Sequence, residues 1–344
     1  MLTSAALCTY NGAAWLREQL DSIAGQSRRP DELVICDDGS TDATPNILSE
    51  FAAKAPFPVF VHINEKNLGS TQNFARAIGL CKGDVIFLAD QDDVWLPTKI
   101  ENLARLFEDS PSVGMAFGDG EVVDAEARPM GYTLWQATRF SPVEQKKMMG
   151  GRAEEVLLRH SVAHGATAAF RASLRSLILP IPAIPGCGHD YWAALIVSGV
   201  ADFALLPEPV LKYRLHGENV VGIRRRTLRE QIALGKELSA PRVFRDDAAI
   251  VAAAIERLST AAAVSESTAR PAVLAKMREK LQHLQRRERM SFGLLGRLAA
   301  IVRETFNGRY LKYSQGWRSV AQDLFLRRTP GPAGRGQASR QSPR

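Results

Sequence analysis

The sequence predicts an α/β fold, a mostly parallel sheet flanked by helices, followed by a basic helical extension. Three observations predict it. Apolar runs alternate with helix-period segments through residue 118, the rhythm of βαβ units. Turn residues close each run on what would be one edge of the sheet. From "RRRTLREQ" onward the composition shifts to Ala, Leu, Arg and Glu at helical spacing. At 344 residues, 45% hydrophobic and 24% charged, the chain is long enough for one large domain and a smaller region beside it.

The expected strands are "SAALCTY", "ELVICDD", "FPVFVHI", "DVIFLAD" and "VGMAFGD". Between the first two, Asn11 and Gly12 precede "AAWLREQLDSIAG", where Trp15, Leu16, Leu20 and Ile23 make one helical face and Gly25 a stop. "ATPNILSEFAAKA" repeats the pattern with Ile47, Leu48 and Phe51, and "GSTQNFARAIGLCKG" closes the third crossover at Gly83. Residues 120 to 160 show only weak periodicity. Beyond them "GATAAFRASLRSL" predicts strand then helix, "PIPAIPG" a stiff loop, and "CGHDYWAALIVSGV" a helix starting near His189. "DFALLPEPVLKYRLHGENV" predicts two short strands. The expected organisation is therefore 1–223 as the α/β domain, in halves 1–118 and 119–223, 224–328 as basic helices and 329–344 as a disordered tail.

Charge is divided unevenly. The net charge of +7 combines 25 Lys and Arg against 10 Asp and Glu from Arg224 onward with 19 against 27 before it. The basic part suits an anionic membrane surface, or is an ordinary solvated face. No recognised nucleic-acid motif accompanies it, so nucleic acid is not an expected partner. The apolar stretch "FGLLGRLAAIV" from Phe292 is too short to span a bilayer and carries Arg297 in its middle. The start "LTSAALCTY" lacks the features of a secretory signal, and a cytoplasmic protein, peripheral at the inner face of the cell membrane, is expected. The four cysteines form no CxxC pair and are expected as reduced core thiols.

"IFLADQDDVWLP" is a strand that ends in three carboxylates, Asp90, Asp92 and Asp93. Acids this close repel unless a cation or hydrogen-bond donors offset them, and Mg²⁺ or Mn²⁺ with oxygen ligands is the ordinary solution. Such an ion holds a substrate's diphosphate oxygens. The structural alternative makes Asp90 a turn former and Asp92 or Asp93 a helix N-cap. A second pair, Asp37 and Asp38 in "DDGSTD", suits a nucleobase or ribose, or a simple Asx turn. "CTYNG", Cys8 to Gly12, offers Tyr10 as a face for a base.

The order "ALCTYNG…WLREQLDSI…ELVICDDGSTD…GSTQNFARAI…IFLADQDDVWLP" closely resembles the family 2 inverting glycosyltransferases of GT-A fold, especially the bacterial rhamnosyltransferase branch. The likeness runs from residue 2 to about 107 and continues in patches to about 222. It implies a nucleotide-sugar donor, with dTDP-rhamnose favoured over UDP- or GDP-sugars, and a saccharide or lipid-linked acceptor. It implies that Asp90 and Asp92 hold the ribose and the metal diphosphate, that Cys8, Tyr10, Asp37 and Asp38 lie against the nucleotide, and that "NLGSTQNFARA" lines the pocket. Inverting transfer needs a base that takes the acceptor's proton. The family places it at an acidic pair opening a helix, here "GHDYW", so Asp190 is the expected base, with His189 where Glu is common. Whether His189 tunes Asp190 or caps the helix stays open, as does a purely capping Asp190. His216 in "YRLHGENV" corresponds to a histidine that completes the metal site in GT-A enzymes. His62, His160 and His164 are expected as packing or surface residues. A module that binds sugar nucleotides or glycans without turnover is the alternative function.

Overall fold

In the computed structural model, which describes residues 1–217, 219, 240–264, 269–290 and 293–326, the first four apolar runs become parallel strands. They are β1 (Thr3–Thr9), β2 (Glu32–Asp37), β3 (Val59–Ile63) and β4 (Val85–Asp90), linked by helices α1 (Leu16–Ala24), α2 (Thr44–Ala52) and α3 (Ser70–Leu80). Their residues alternate between two cores. Ala5, Leu7, Leu33, Ile35, Phe87 and Ala89 pack under α1 and α2, whereas Ala6, Cys8, Val34, Cys36, Ile86 and Leu88 pack under α3. Both faces are covered, which is why these strands read as unbroken apolar runs. Trp15 stands before α1 rather than on its face.

The chain continues through β5 (Val94–Trp95), α4 (Lys99–Asp109) and β6 (Val113–Val123). The stretch that carried little periodicity is a hairpin strand, β7 (Pro129–Thr133), and three short helices, α5 (Leu134–Thr138), α6 (Pro142–Met149) and α7 (Ala153–Leu157). Two of these are announced by capping boxes, Thr133 with Gln136 and Ser141 with Glu144. Then come β8 (Ala168–Arg171), α8 (Arg175–Ile178), α9 (His189–Ser198) and β9 (Asp202–Arg214). The sheet order is β3-β2-β1-β4-β8-β6-β9-β5, with β7 on β6. Six of these strands run one way; β5, β7 and β8 oppose them.

One expectation is corrected here. β9 is a single strand rather than two short ones: its register on β6 slips between Leu206 and Pro209, so "PEP" makes an irregularity inside a continuous strand.

The basic helices that are described are α10 (Pro241–Val264), α11 (Pro271–Glu288), α12 (Leu294–Phe306), α13 (Arg309–Tyr313) and α14 (Trp317–Ala321), then a π turn over Gln322–Leu326. The first two are not a loose appendage. Phe244, Val251, Leu258, Val273 and Met277 join the same apolar cluster as Phe74 and Trp192. Arg257 donates to the carbonyls of Leu177, Leu179 and Pro180 at 2.9 Å each, and Lys276 reaches Glu154 and Glu155 at 2.7 and 2.9 Å. The opening of the basic segment at Arg224 and the tail 329–344 lie outside the described residues.

Candidate active site at the sheet edge

Parallel pairing brings the tips of β1, β2 and β4 level, with Cys8 opposite Asp90 on one side and Cys36 on the other, and Thr9 opposite Asp37. Asp90 therefore emerges at the carboxyl edge where open α/β sheets bind ligands. Burial first, then the charges of Asp92 and Asp190, push the Asp90 carboxyl up to about 7, against the opposing pull of Lys99. Geometry links Asp190, a hundred residues downstream, to the same region: it accepts the Gly165 N–H at 3.2 Å, and the next carbonyl, Ala166, accepts from Lys99.

The three acids divide their work. Asp92 Oδ2 lies 2.8 Å from His216 Nε2 and 3.1 Å from Asn219 Nδ2. The His216 ring is itself stacked on Trp15, centroids 3.8 Å apart. Asp93 is 1% exposed; its Oδ1 accepts the Arg214 backbone N–H at 3.0 Å, and Oδ2 has no hydrogen-bond partner among the described residues. Neither caps a helix, because α4 opens at Thr98 without a side-chain cap. Two buried cations brace this loop. Arg214, the last residue of β9, donates to the Asp92 carbonyl at 2.8 Å, to the Ala125 carbonyl at 2.7 Å, and to Glu18. Lys99, 1% exposed, donates to the Ala166 carbonyl and sits 3.7 Å over the Trp95 ring.

Asp190 is the second residue of α9. Its Oδ2 accepts the Gly165 N–H of the 164–165 turn at 3.2 Å, and its Oδ1 accepts the Tyr191 N–H at 2.7 Å, a first-turn group of α9, whose N-cap Gly188 supplies no side-chain bond. His189 lies flat on Phe74, centroids 3.7 Å apart. Burial lowers the affinity of both His189 and His164 for a proton, with Asp190 pulling each the other way. Each presents an Nε2 without a hydrogen-bond partner among the described residues. His164, expected as a packing or surface residue, is buried, in the turn whose Gly165 N–H meets Asp190.

The residues expected to meet the nucleotide separate into two kinds. Tyr10 is 49% exposed at the edge, its backbone paired with the Gln91 side chain at 2.8 and 3.1 Å. Gly12 is required beneath that amide, since a Cβ there would stand 2.2 Å from Gln91 Oε1. Asp37, Asp38 and Cys8 face inward. Asp37 is fully buried and accepts from Thr9 Oγ1, Ser40 Oγ and Ser40 N at 2.6 to 2.9 Å. Asp38 accepts from Asn64 Nδ2, Leu68 N and Gly69 N at 2.6 to 2.8 Å. The Cys8 thiol is buried, and burial first, then Cys36, Asp90 and Asp38, push it up. The Asp37 and Asp38 carboxylates are braced within the protein and shape the loops on which a base would rest.

Asp90 and Asp92 supply carboxylate oxygens and His216 an imidazole nitrogen, a donor set that suits Mg²⁺ or Mn²⁺. Among the described residues no three His, Cys, Asp or Glu side chains make a closed metal cage. The residues fit an ion held partly by substrate oxygens, the usual state of Mg²⁺ on one or two carboxylates.

Comparison with known proteins agrees with this geometry. The sequence model described as Glycosyl transferase family 2 matches residues 4–178. An uncharacterized protein of Mycobacterium tuberculosis is 25% identical over 214 residues, 62% of this chain; the match spans 58% of that relative's length. The dTDP-rhamnosyl transferase RfbG of Shigella flexneri is 39% identical over 100 residues, 28% of this chain and 35% of that protein. The crystal structure of S. aureus TarS 1–349 in complex with UDP-GlcNAc superposes with a TM-score of 0.53 at 13% identity, covering 95% of this chain and 90% of that one, and shares the α/β GT-A-like fold.

Proposed function

Given that the chain belongs to glycosyl transferase family 2, we propose that it moves a sugar from a nucleotide-sugar donor to an acceptor hydroxyl with inversion at the anomeric carbon. The observation that carries this reading is convergence: Asp92 meets His216 at 2.8 Å, and the turn whose Gly165 N–H is bonded to Asp190 gives its Ala166 carbonyl to Lys99, on the helix that follows the strand-tip acids.

Within that reading each residue has one task. Tyr10 offers an exposed ring at the tip of β1 for the base, on a loop fixed by Gln91 and by Asn11, whose Oδ1 accepts the Thr41 N–H at 2.8 Å. Asp90, Asp92 and His216 would hold the divalent ion, which when bound supplies Lewis-acid stabilisation to the leaving diphosphate. Lys99 and Arg214 keep the acids together when no ion is near. Asp190 takes the proton from the acceptor hydroxyl as that oxygen attacks the face opposite the diphosphate. Burial holds His164 and His189 toward the neutral form, so neither ring competes as a cation for the acceptor's proton.

A dTDP-rhamnose donor is supported by the partial likeness to RfbG, and a saccharide or lipid-linked acceptor of surface polysaccharide synthesis is the matching second substrate. The test is nucleotide release from labelled dTDP-rhamnose, UDP-sugars and GDP-sugars, each with Mn²⁺, with Mg²⁺ and with chelator. Release from one donor class that stops on chelation is expected. A donor that binds tightly and is never consumed would replace the transfer reading with that of a binding module.

A further inference from the structure

The described C-terminal helices carry an apolar stripe turned to solvent. On α12, Leu295 is 84% exposed, Leu298 37%, Val302 53% and Phe306 89%. At about 100° per residue these four fall within an arc of roughly 80°. The opposite side of α12 is the packed one: Ile301 closes a small core with Met290 and Tyr310, and Glu304 is buried. The sector next to the stripe, Gly296, Ala299, Ala300 and Arg303, forms one wall of a groove of about 550 Å³ whose other wall is Gln282, Gln285, Arg286 and Arg289 of α11. Arg289 and Arg303 are exposed, and Arg286 is fixed at the groove by Glu304 at 2.6 Å. Glu304, the acid of this groove, is 1% exposed and also bonded to His283 and Arg309, so its charge is compensated from within.

We propose that this face is a docking surface for an anionic lipid bilayer, with the groove taking a headgroup phosphate and the stripe entering the boundary between headgroups and acyl chains. The charge around it selects that occupant. Lys312 and Arg318 are exposed on the helices that follow, beside Trp317 at 71% and Phe325 at 76% exposure. From residue 327 to the end the sequence adds five arginines and no acid. A second copy meeting this face would set arginine against arginine, whereas phosphates match it. No helix among the described residues is long and apolar enough to cross a membrane, so the face lies on the bilayer. This surface does not depend on the transfer reaction.

The test is flotation of the full chain with vesicles of phosphatidylcholine alone and of phosphatidylcholine with phosphatidylglycerol. Flotation with the second only, weakened by salt, is expected. Val302→Glu with Phe306→Glu, and separately Arg289→Glu with Arg303→Glu, should each lower the partition coefficient by about tenfold or more at unchanged melting temperature. Should the first pair not fold, Leu295→Ser with Phe306→Ser keeps the readout. Equal flotation with neutral vesicles, flotation untouched by the variants, or a dimer that the stripe variants dissociate would each overturn the proposal.

Discussion

Two buried charged clusters in this chain are built on opposite rules. At the sheet edge Asp90, Asp92, Asp93 and Asp190 crowd together with Lys99 and Arg214 beneath them, and Asp90 is pushed up to about 7 as a result. In the C-terminal bundle two buried acids, Asp323 and Glu304, are answered. Asp323 accepts from Arg287 at 2.7 and 3.0 Å and from Tyr310 at 2.6 Å; Glu304 accepts from His283 at 2.7 Å and from Arg286. The first cluster keeps repulsion that a bound cation relieves; the second is complete without a ligand. A strained acidic site is therefore affordable next to a satisfied one, because the fold does not depend on the former for its integrity.

Substitutions separate the two most sharply. Asp190→Asn should lower the rate of nucleotide release in the presence of acceptor by about 10²- to 10⁴-fold, the usual worth of a positioned base, at an unchanged melting temperature. A variant that retained full turnover would remove Asp190 from the chemistry. Arg287→Met should do the reverse. It strands a buried Asp323 and should cost about 3 to 5 kcal/mol in denaturant unfolding, while the rate per folded molecule stays the same.

The smallest effect is a difference in the sign of pH dependence. Asp90 has a folded-state pKa above the unfolded 3.8, so its contribution to stability falls as pH rises from about 4 to about 7. Asp90→Asn should gain more melting temperature over the parent at pH 8 than at pH 5. His283 is the mirror case. Burial, with Arg287 and Lys280 also opposing the charged ring, lowers it from 6.5 to about 4, so its contribution is present above 6.5 and is lost as pH falls to 4. His283→Gln should flatten the melting curve over that interval; an unaltered slope would mean that the imidazole is not what titrates there.

The parts of the site that were legible in the sequence are those whose local context already states a conflict. Three acids at the end of "IFLAD" announce an edge and a cation, whereas Asp190 and His216 were expected only through the family resemblance. What was not legible depends on contacts distant in sequence. Lys99 looks like an ordinary first-turn helix residue until Ala166, 67 positions away, accepts its proton. Arg214 acquires its role only when β9 lies beside β5 and brings it under Asp92. His164 has no periodic neighbours to mark it. "DDGSTD" likewise does not reveal by itself that Asp37 and Asp38 also brace their own loops, through Ser40, Asn64 and the Leu68–Gly69 backbone. Composition changes near residue 224, while the apolar faces of α10 and α11 join the core cluster beneath the sheet, a contact that composition does not show.

Leu258 of α10 rests against Gly199, the residue that ends the helix bearing Asp190, so closely that even a methyl group at Gly199 would stand 2.6 Å from it. Exchanging the C-terminal half with that of a relative would therefore also change what the far end of the Asp190 helix leans on. The outer surface of α12, away from that seam, is the place where a substitution leaves the seat of α9 alone.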